Sequence, residues 1–199
     1  MRESPQSPRM FETEWIDRLS RTPWWTVPLV WLPISLFLLV SGLQHDAVRL
    51  PAAAVTFAGG WLVWSFAEYV LHRTLFHWKP KTSWGPRMHF LLHGVHHDWV
   101  FDQYRLVMPP AASILIGAAF GLMFRALLGP TWFLTTFAGF TFGYMVYDVV
   151  HYATHHLKLS NRWFLALKKH HLLHHHSPRH ADRKFGVSST LWDHVFRTY

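Results

Sequence analysis

Ten of the 17 histidines in this 199-residue chain fall into four short motifs: His72 and His77; His93, His96 and His97; His151 and His155; and His171, His174 and His175. Successive residues of an α-helix turn by about 100°, so positions i, i+3 and i+4 share roughly a 100° arc of one face. Both triplets have that spacing, and His151 and His155 form an i, i+4 pair. Three segments therefore each aim imidazoles along one stripe. His72 and His77, five apart, lie about 140° apart on an ideal helix, so a bend or helix end is expected near Arg73 to Phe76. A lone histidine is more often a surface or hydrogen-bonded residue than a ligand, but four motifs at helical spacing point to metal ligation. The other seven, His45, His89, His156, His170, His176, His180 and His194, are read as non-ligands, although His156, His170 and His176 adjoin the motifs.

Ten imidazoles are too many for one ion. Two ions with about five nitrogens each would keep a position open, whereas a structural zinc is usually tetrahedral and closed. Open positions point to a diiron centre, although imidazole also suits zinc, which can replace iron in isolated protein. A pair of irons can activate dioxygen as co-substrate and attack an unactivated C–H bond, which no side-chain acid or base can do. The absence of Cys removes disulfides, thiolate metal sites and cysteine nucleophiles together. Glu68 precedes His72 by four and Asp148 precedes His151 by three, so each carboxylate is expected to accept its histidine's second ring N–H. Trp99, Tyr104, Tyr144 and Tyr147 are candidates to line an entrance, although aromatic residues at such a depth also form interfacial belts. Asp148 and Tyr147 are taken as the catalytic candidates beside the metals.

The elements that position these residues read as membrane helices. Four windows lack Asp, Glu, Lys and Arg: Trp24 to Leu43, Ala52 to Ala67, Leu106 to Phe124, and Ala126 to Tyr147. Each approaches the roughly 20 apolar residues that cross about 30 Å of hydrocarbon. Of 19 Lys and Arg, only Arg49 and Arg125 lie on or beside the connections expected on the far side. The other 17 are expected with both termini and the middle loop on the cytoplasmic side. Sixteen of the 17 histidines fall on that same side. The net charge of +8 is then explained by anionic headgroups and requires no nucleic acid.

The expected architecture is an all-α integral membrane protein of one domain, residues 1–199. It has an N-terminal arm (1–23) with a short interfacial helix around Phe11 to Ser20. Four transmembrane helices follow, at about 24–43, 52–71, 107–128 and 131–151. A cytoplasmic histidine-rich cap (72–106 and 152–199) holds the dimetal centre. The first 23 residues lack the apolar core of a cleaved signal peptide, while Trp24 to Leu43 can act as an uncleaved anchor. A metal-binding transporter would place its ligands near mid-membrane, and a haem-carrying membrane cytochrome would face histidines across two spans. Here the motifs sit at or beyond span ends, which disfavours both.

With the motifs in place, the chain resembles the fatty acid hydroxylase superfamily, and within it the fatty acid 2-hydroxylases. The likeness runs through TPWWTVPLVWLP (22–33), EYVLHRTLFH (68–77), HFLLHGVHHDWVFDQYRLVMPP (89–110), GYMVYDVVHYATHH (143–156) and the segment from LKKHHLLHHH to VFRTY (167–199). The resemblance implies ten ligands at the motif positions. His72, His77, His93, His97 and His174 would hold one ion, and His96, His151, His155, His171 and His175 the other. His170 stands where an aromatic residue is expected and Leu173 where an acid is expected. The implied activity is a monooxygenase inserting oxygen beside the carbonyl of a long acyl lipid, with a sterol or carotenoid oxidase or desaturase of the same superfamily as the alternative. Eukaryotic members often carry a fused haem domain, for which 23 residues leave no room. Electrons are therefore expected from a separate ferredoxin or small cytochrome with its reductase, and the bacterial inner membrane is expected rather than the endoplasmic reticulum. Lys79, Lys81, Arg87, Lys168, Lys169, Arg183 and Lys184 would suit docking of an acidic donor.

Overall fold

The computed structural model describes residues 7–44 and 48–199, so the reading of His45 lies outside the described residues. The arm carries a short helix α1 (Glu14–Leu19), shorter than expected. Among the described residues three helices are long and apolar enough to cross a membrane: Thr26–Leu43, Leu50–Phe76 and Pro110–His156. The first is α2 (Thr26–Leu43). The second consists of α3 (Leu50–Val70) and a π-helical turn, Leu71–Phe76, continuing from it. The third is α6 (Pro110–His156), preceded by α4 (Gly85–His89), a second π-turn (Phe90–Gly94) and α5 (Val95–Asp98). Helices α7 (Arg162–His176) and α8 (Leu191–Val195) complete the chain.

Helix α6 covers the residues expected for the last two spans. Its 47 residues would reach about 70 Å if straight, more than twice the hydrocarbon thickness. Gly129 stands in its middle at φ 69° and ψ 178°, a conformation open to glycine, and Pro130 follows without an N–H to donate. The chain folds back there. Phe120 of the N-terminal arm of α6 (110–128) lies 5.0 Å from Phe140 of the C-terminal arm (130–156), and Phe124 lies 5.5 Å from Phe137. Earlier residues meet later ones, so the arms are antiparallel.

Close approach and hydroxyl pairing join α2 and α3 to this hairpin. A Cβ on Gly60 would meet the Thr136 carbonyl oxygen at 1.8 Å, and one on Gly139 the Phe57 carbonyl oxygen at 1.9 Å, so α3 and α6 touch backbone to backbone only because both are glycine. The hydroxyls of Ser35 and Thr141 pair at 2.8 Å and those of Thr56 and Thr135 at 2.7 Å, which satisfies polar groups inside an apolar bundle. Trp31 donates its indole N–H to Ser113 Oγ at 3.1 Å.

The arm is tied down against Tyr104 and Arg105, in the segment between α5 and α6. Asp17 and Arg105, 4% and 1% exposed in their side chains, pair at 2.8 Å. Asp17 Oδ1 also accepts the Met10 N–H at 2.7 Å, and Arg105 donates to Pro8 O at 2.9 Å and to Ser20 Oγ. Burial alone would raise the Asp17 carboxyl. The Met10 and Phe11 N–H groups and the Arg105 guanidinium outweigh it and hold the carboxyl at about 2.

Candidate metal centre

The structure gathers the ten motif histidines into two adjoining groups. His72, His77, His93, His97 and His174 form one, and His96, His151, His155, His171 and His175 the other, with the candidate ligand atoms of each group within 4.8 Å of one another. Helical geometry explains the sorting. Residue i+4 sits about 40° round from i, while i+3 sits about 60° round the opposite way. His93 and His97 therefore join one group, and His171 and His175 the other. Each triplet sends its i+3 member, His96 or His174, across to the neighbouring group. The rings of His97 and His175 meet at 4.2 Å where the groups adjoin.

The helix that carries His72 ends at Phe76, within the segment where a bend or an end is expected, and before ending it widens into the π-turn Leu71–Phe76, whose i→i+5 closure stacks residues five apart. The rings of His72 and His77 lie 5.1 Å apart. Asn161 starts the helix that carries the last triplet, its Oδ1 accepting the N–H of Trp163 at 2.9 Å.

Contacts between ring nitrogens show that the donor set suits metal ions. His171 Nε2 lies 2.8 Å from His155 Nε2 and 3.0 Å from His175 Nε2. A ring nitrogen has one in-plane lone pair or one N–H, so it cannot hydrogen-bond both. His96 to His151 and His77 to His174 show the same Nε2 spacing of 3.0 Å. With metal–nitrogen bonds of 2.0–2.1 Å, ligands at right angles stand about 2.9 Å apart and tetrahedral ones about 3.4 Å. The Nε2 atoms of His72, His93 and His97 are buried without a hydrogen-bond partner among the described residues. Burial first, and then the cost of placing a second positive charge among the neighbouring histidines and, for His77, beside Lys79, hold His77 at about 3 and His97 at about 2. Both are neutral at physiological pH, as ligation requires.

The carboxylates act one step further out than the sequence suggested. His72 Nδ1–H donates to the Phe185 carbonyl at 2.6 Å and His174 Nδ1–H to the Arg183 carbonyl at 2.7 Å, so a loop backbone orients both rings. Glu68, expected on His72, instead holds that loop: its Oε1 accepts the N–H of Val187 at 2.6 Å and of Ser188 at 2.8 Å, and Oε2 accepts the Ser188 hydroxyl. Asp148, expected on His151, accepts the Met108 N–H at 3.4 Å, and His151 Nδ1 has no partner among the described residues. Sequence reasoning missed Asp193. Fully buried, it accepts the N–H of Phe185 at 3.0 Å and of Gly186 at 2.8 Å, the Thr198 hydroxyl at 2.7 Å, and the ring N–H of His170 at 2.9 Å. The signal available was that pairing: an acid late in the chain and a histidine where an aromatic residue was expected.

An apolar cavity meets the histidines from the membrane side. Its upper part, about 310 Å³, is lined by His93, His96 and His151 together with Tyr147 and Asp148, and by Met10 and Phe11 of the arm. Its lower part, about 80 Å³, runs down between Trp31, Trp64, Phe120, Phe140 and Tyr144. Leu75, Phe76, Met108, Ile116 and Tyr147 line both parts. Tyr144 and Tyr147 are thus cavity walls, whereas Tyr104 is 47% exposed and lines neither part. On the other side a polar cleft of about 530 Å³ reaches His77, His97, His174 and His175 past Lys79 and Asp182. Lys184, expected on a docking face, is 6% exposed and lies 4.1 Å over the Tyr199 ring.

Comparison with known proteins agrees with this arrangement. The chain is 38% identical over 193 residues to a dihydroceramide fatty acyl 2-hydroxylase of Arabidopsis thaliana, covering 97% of this chain and 80% of that protein. It is 41% identical over 187 residues to a ceramide very long chain fatty acid hydroxylase of Saccharomyces cerevisiae, covering 92% and 47% respectively. Human fatty acid 2-hydroxylase is 36% identical over 210 residues, covering 96% and 56%. The solved structure of full-length scs7p, in which only the hydroxylase domain is visible, superposes with a TM-score of 0.87 at 41% identity, covering 94% of this chain and 70% of that one. These relatives are all eukaryotic and lend no support to a bacterial inner membrane in particular. The sequence model for fatty acid hydroxylase matches residues 57–198. On the matched motifs, the shared fold and the paired histidine groups, this chain belongs to the fatty acid hydroxylase family.

Proposed function

We propose that the chain is a membrane-embedded lipid 2-hydroxylase: it takes a long acyl chain, as fatty acid or ceramide, and hydroxylates the carbon beside the carbonyl. The observation that carries this reading is two groups of five imidazoles at the head of an apolar cavity enclosed by membrane-length helices. Each group would hold one metal ion through the Nε2 atoms that converge in it, and the near-right-angle spacing suits five ligands with a position open. Iron, bound there, would supply the redox chemistry by which dioxygen oxidises an unactivated C–H bond.

The chain's own residues bind, orient and exclude water. Trp31, Trp64, Phe120, Phe140 and Tyr144 surround the tail with apolar surface. Asp148, an acceptor, and Tyr147, a phenolic donor, border the cavity where it reaches His93, His96 and His151, and are assigned to the polar head of the lipid. Leu75 and Ile116 line the cavity and are also 38% and 46% exposed, a place where a lipid can enter sideways from the bilayer.

In this reading residues 1–199 act as one unit, the two arms of α6 span separately to make four crossings, and the histidine cap lies in the cytoplasm with the basic residues. Hydroxylation consumes dioxygen, two electrons and two protons and releases water. A separate electron-transfer protein is therefore assigned as partner, approaching the polar cleft where His77 and His97 are only half-buried. Lipid analysis of cells expressing the chain tests the function. Acyl lipids with a 2-hydroxyl are expected above the vector control, and their absence despite bound metal and an added donor would refute it.

A further inference from the structure

The apolar cavity has a definite depth and a floor. Three runs of residues descend along it: Phe76 to Trp64 on α3 and its π-turn, Met108 to Phe120 leading into the N-terminal arm of α6, and His151 to Phe140 on the C-terminal arm. Each covers eleven or twelve residues, about 17 Å at the helical rise of 1.5 Å per residue. At the bottom the Phe140 ring lies 5.0 Å from Phe120, 5.2 Å from Trp64 and 4.9 Å from Phe124. Phe137 stacks behind it at 5.8 Å, and Phe133 lies 5.5 Å from Phe137. The cavity therefore ends on a plug of aromatic rings several layers thick.

We propose that Phe140, braced by Phe120 and Trp64, sets the length of acyl chain that this protein hydroxylates. The inference rests on the reading above that the cavity takes the acyl tail. An extended carbon chain with bonds of about 1.52 Å at about 111° advances about 1.25 Å per carbon, so about 13 carbons fit between the histidine end and the floor. With the reacting carbon and the carbonyl carbon added, the fitted chain has about 15 or 16 carbons. That is shorter than the very long chains for which the yeast relative is named. The Phe140 layer is about 5 Å deep, judged by its ring spacings, so its removal makes room for about four more carbons.

The test is competitive. Cells expressing the full chain are supplied with an equal mixture of even-numbered saturated fatty acids from dodecanoic to tetracosanoic acid, and the chain lengths of the 2-hydroxylated products are measured against vector alone. The unmodified protein is expected to peak near the hexadecanoyl product. Phe140→Ala is expected to raise the ratio of eicosanoyl to hexadecanoyl product by about tenfold or more, the usual scale of discrimination in an apolar pocket. Phe120→Ala, which removes the neighbouring ring and keeps Phe140, shifts the ratio the same way and decides the matter if the first variant fails to accumulate. Leu122→Ala, 74% exposed on the outer face of α6, leaves the ratio unchanged. A product profile flat with chain length, or the same ratio in the unmodified protein and both Phe variants, would overturn the assignment while leaving the 2-hydroxylase reading intact. No 2-hydroxylated product of any length from the unmodified protein would overturn that reading, and this inference with it.

Discussion

Asp193→Asn should cost the protein one metal ion and spare the other. Asp193 Oδ1 accepts from Phe185 N–H and the Thr198 hydroxyl, and Oδ2 from Gly186 N–H and His170. Asparagine keeps the size but turns one side into a donor. Whichever way its amide is turned, the NH₂ faces a backbone N–H, of Phe185 or of Gly186. A buried donor left unsatisfied costs about 1–3 kcal/mol, so the loop at 183–188 is expected to shift. Its Arg183 and Phe185 carbonyls then hold His174 and His72 less firmly. Losing such an orienting partner weakens metal binding about 10–100-fold, equivalent to about 1.4–2.7 kcal/mol. Both rings belong to the same group of five, so the loss falls on that ion. Metal analysis after dialysis against graded chelator should show bound metal falling from two ions per chain toward one at a chelator level that the unmodified protein withstands. Glu68→Gln makes the contrast: its carbonyl keeps the N–H groups of Val187 and Ser188, and the Ser188 hydroxyl can accept from the new NH₂, so retention within a few-fold is expected. Simultaneous loss of both ions from Asp193→Asn, or full retention, would refute the orienting role of the loop.

Other outcomes follow from the same geometry. His93→Ala and His174→Ala from one group, and His151→Ala from the other, should each abolish product and lower bound metal, while His180→Ala and His194→Ala stay near wild type; full activity in any of the first three sinks the ligand assignment. Tags at residue 1, within Lys79 to Ser83, and at residue 199 should report one side of the membrane, and a tag at Gln44 to Asp46 the other; opposite reports from the 79–83 and C-terminal tags would exclude the four-crossing arrangement. Asp17→Ala leaves the Arg105 guanidinium buried without its partner, at a cost of about 3–5 kcal/mol, and should speed trypsin cleavage in the arm. The Asp17 carboxyl is lowered on folding, so its contribution is complete above 3.8 and lost as pH falls through about 2; protection of the arm against hydrogen exchange should hold from neutral pH to about 4 and fail below. Purified protein supplied with iron(II), dioxygen and an acyl lipid should stop after a single turnover until an electron donor is added, and sustained turnover without one would refute the partner assignment.

Much of the helical layout was legible because its signals are local. Uncharged windows of about twenty residues mark membrane helices, and Gly129-Pro130 marks a place where a helix cannot continue straight. The i, i+3, i+4 spacing of the triplets is equally local. The π-turn at Leu71–Phe76 was not legible, because no residue type demands it: Arg73 to Phe76 carry ordinary helix formers, and the wider turn is adopted where it brings His72 and His77 onto one side. Sequence spacing located the conflict, and the helix end, at the right residues, but gave no sign of the widened turn that precedes the end.

The supporting carboxylates were misplaced for a related reason. Glu68 and Asp148 were matched to His72 and His151 because they share a helical face, and a face is all that spacing along one element can report. The groups that hold His72 and His174 are carbonyls of Phe185 and Arg183, contributed from a loop more than one hundred residues beyond His72 and nine beyond His174. Every residue has a carbonyl, so no residue type marks those two as acceptors. What sequence can carry is the residues that fix the loop, and these are Glu68 from the membrane helix and Asp193 from α8, each accepting two of its N–H groups. A buried acid is thus better read as an acceptor for backbone N–H groups than as the partner of the nearest histidine on its own helical face. Asp193 is such an acid: its bonds to His170 on α7 and to the N–H groups of Phe185 and Gly186 tie a short helix at the end of the chain to the loop whose carbonyls accept from His72 and His174.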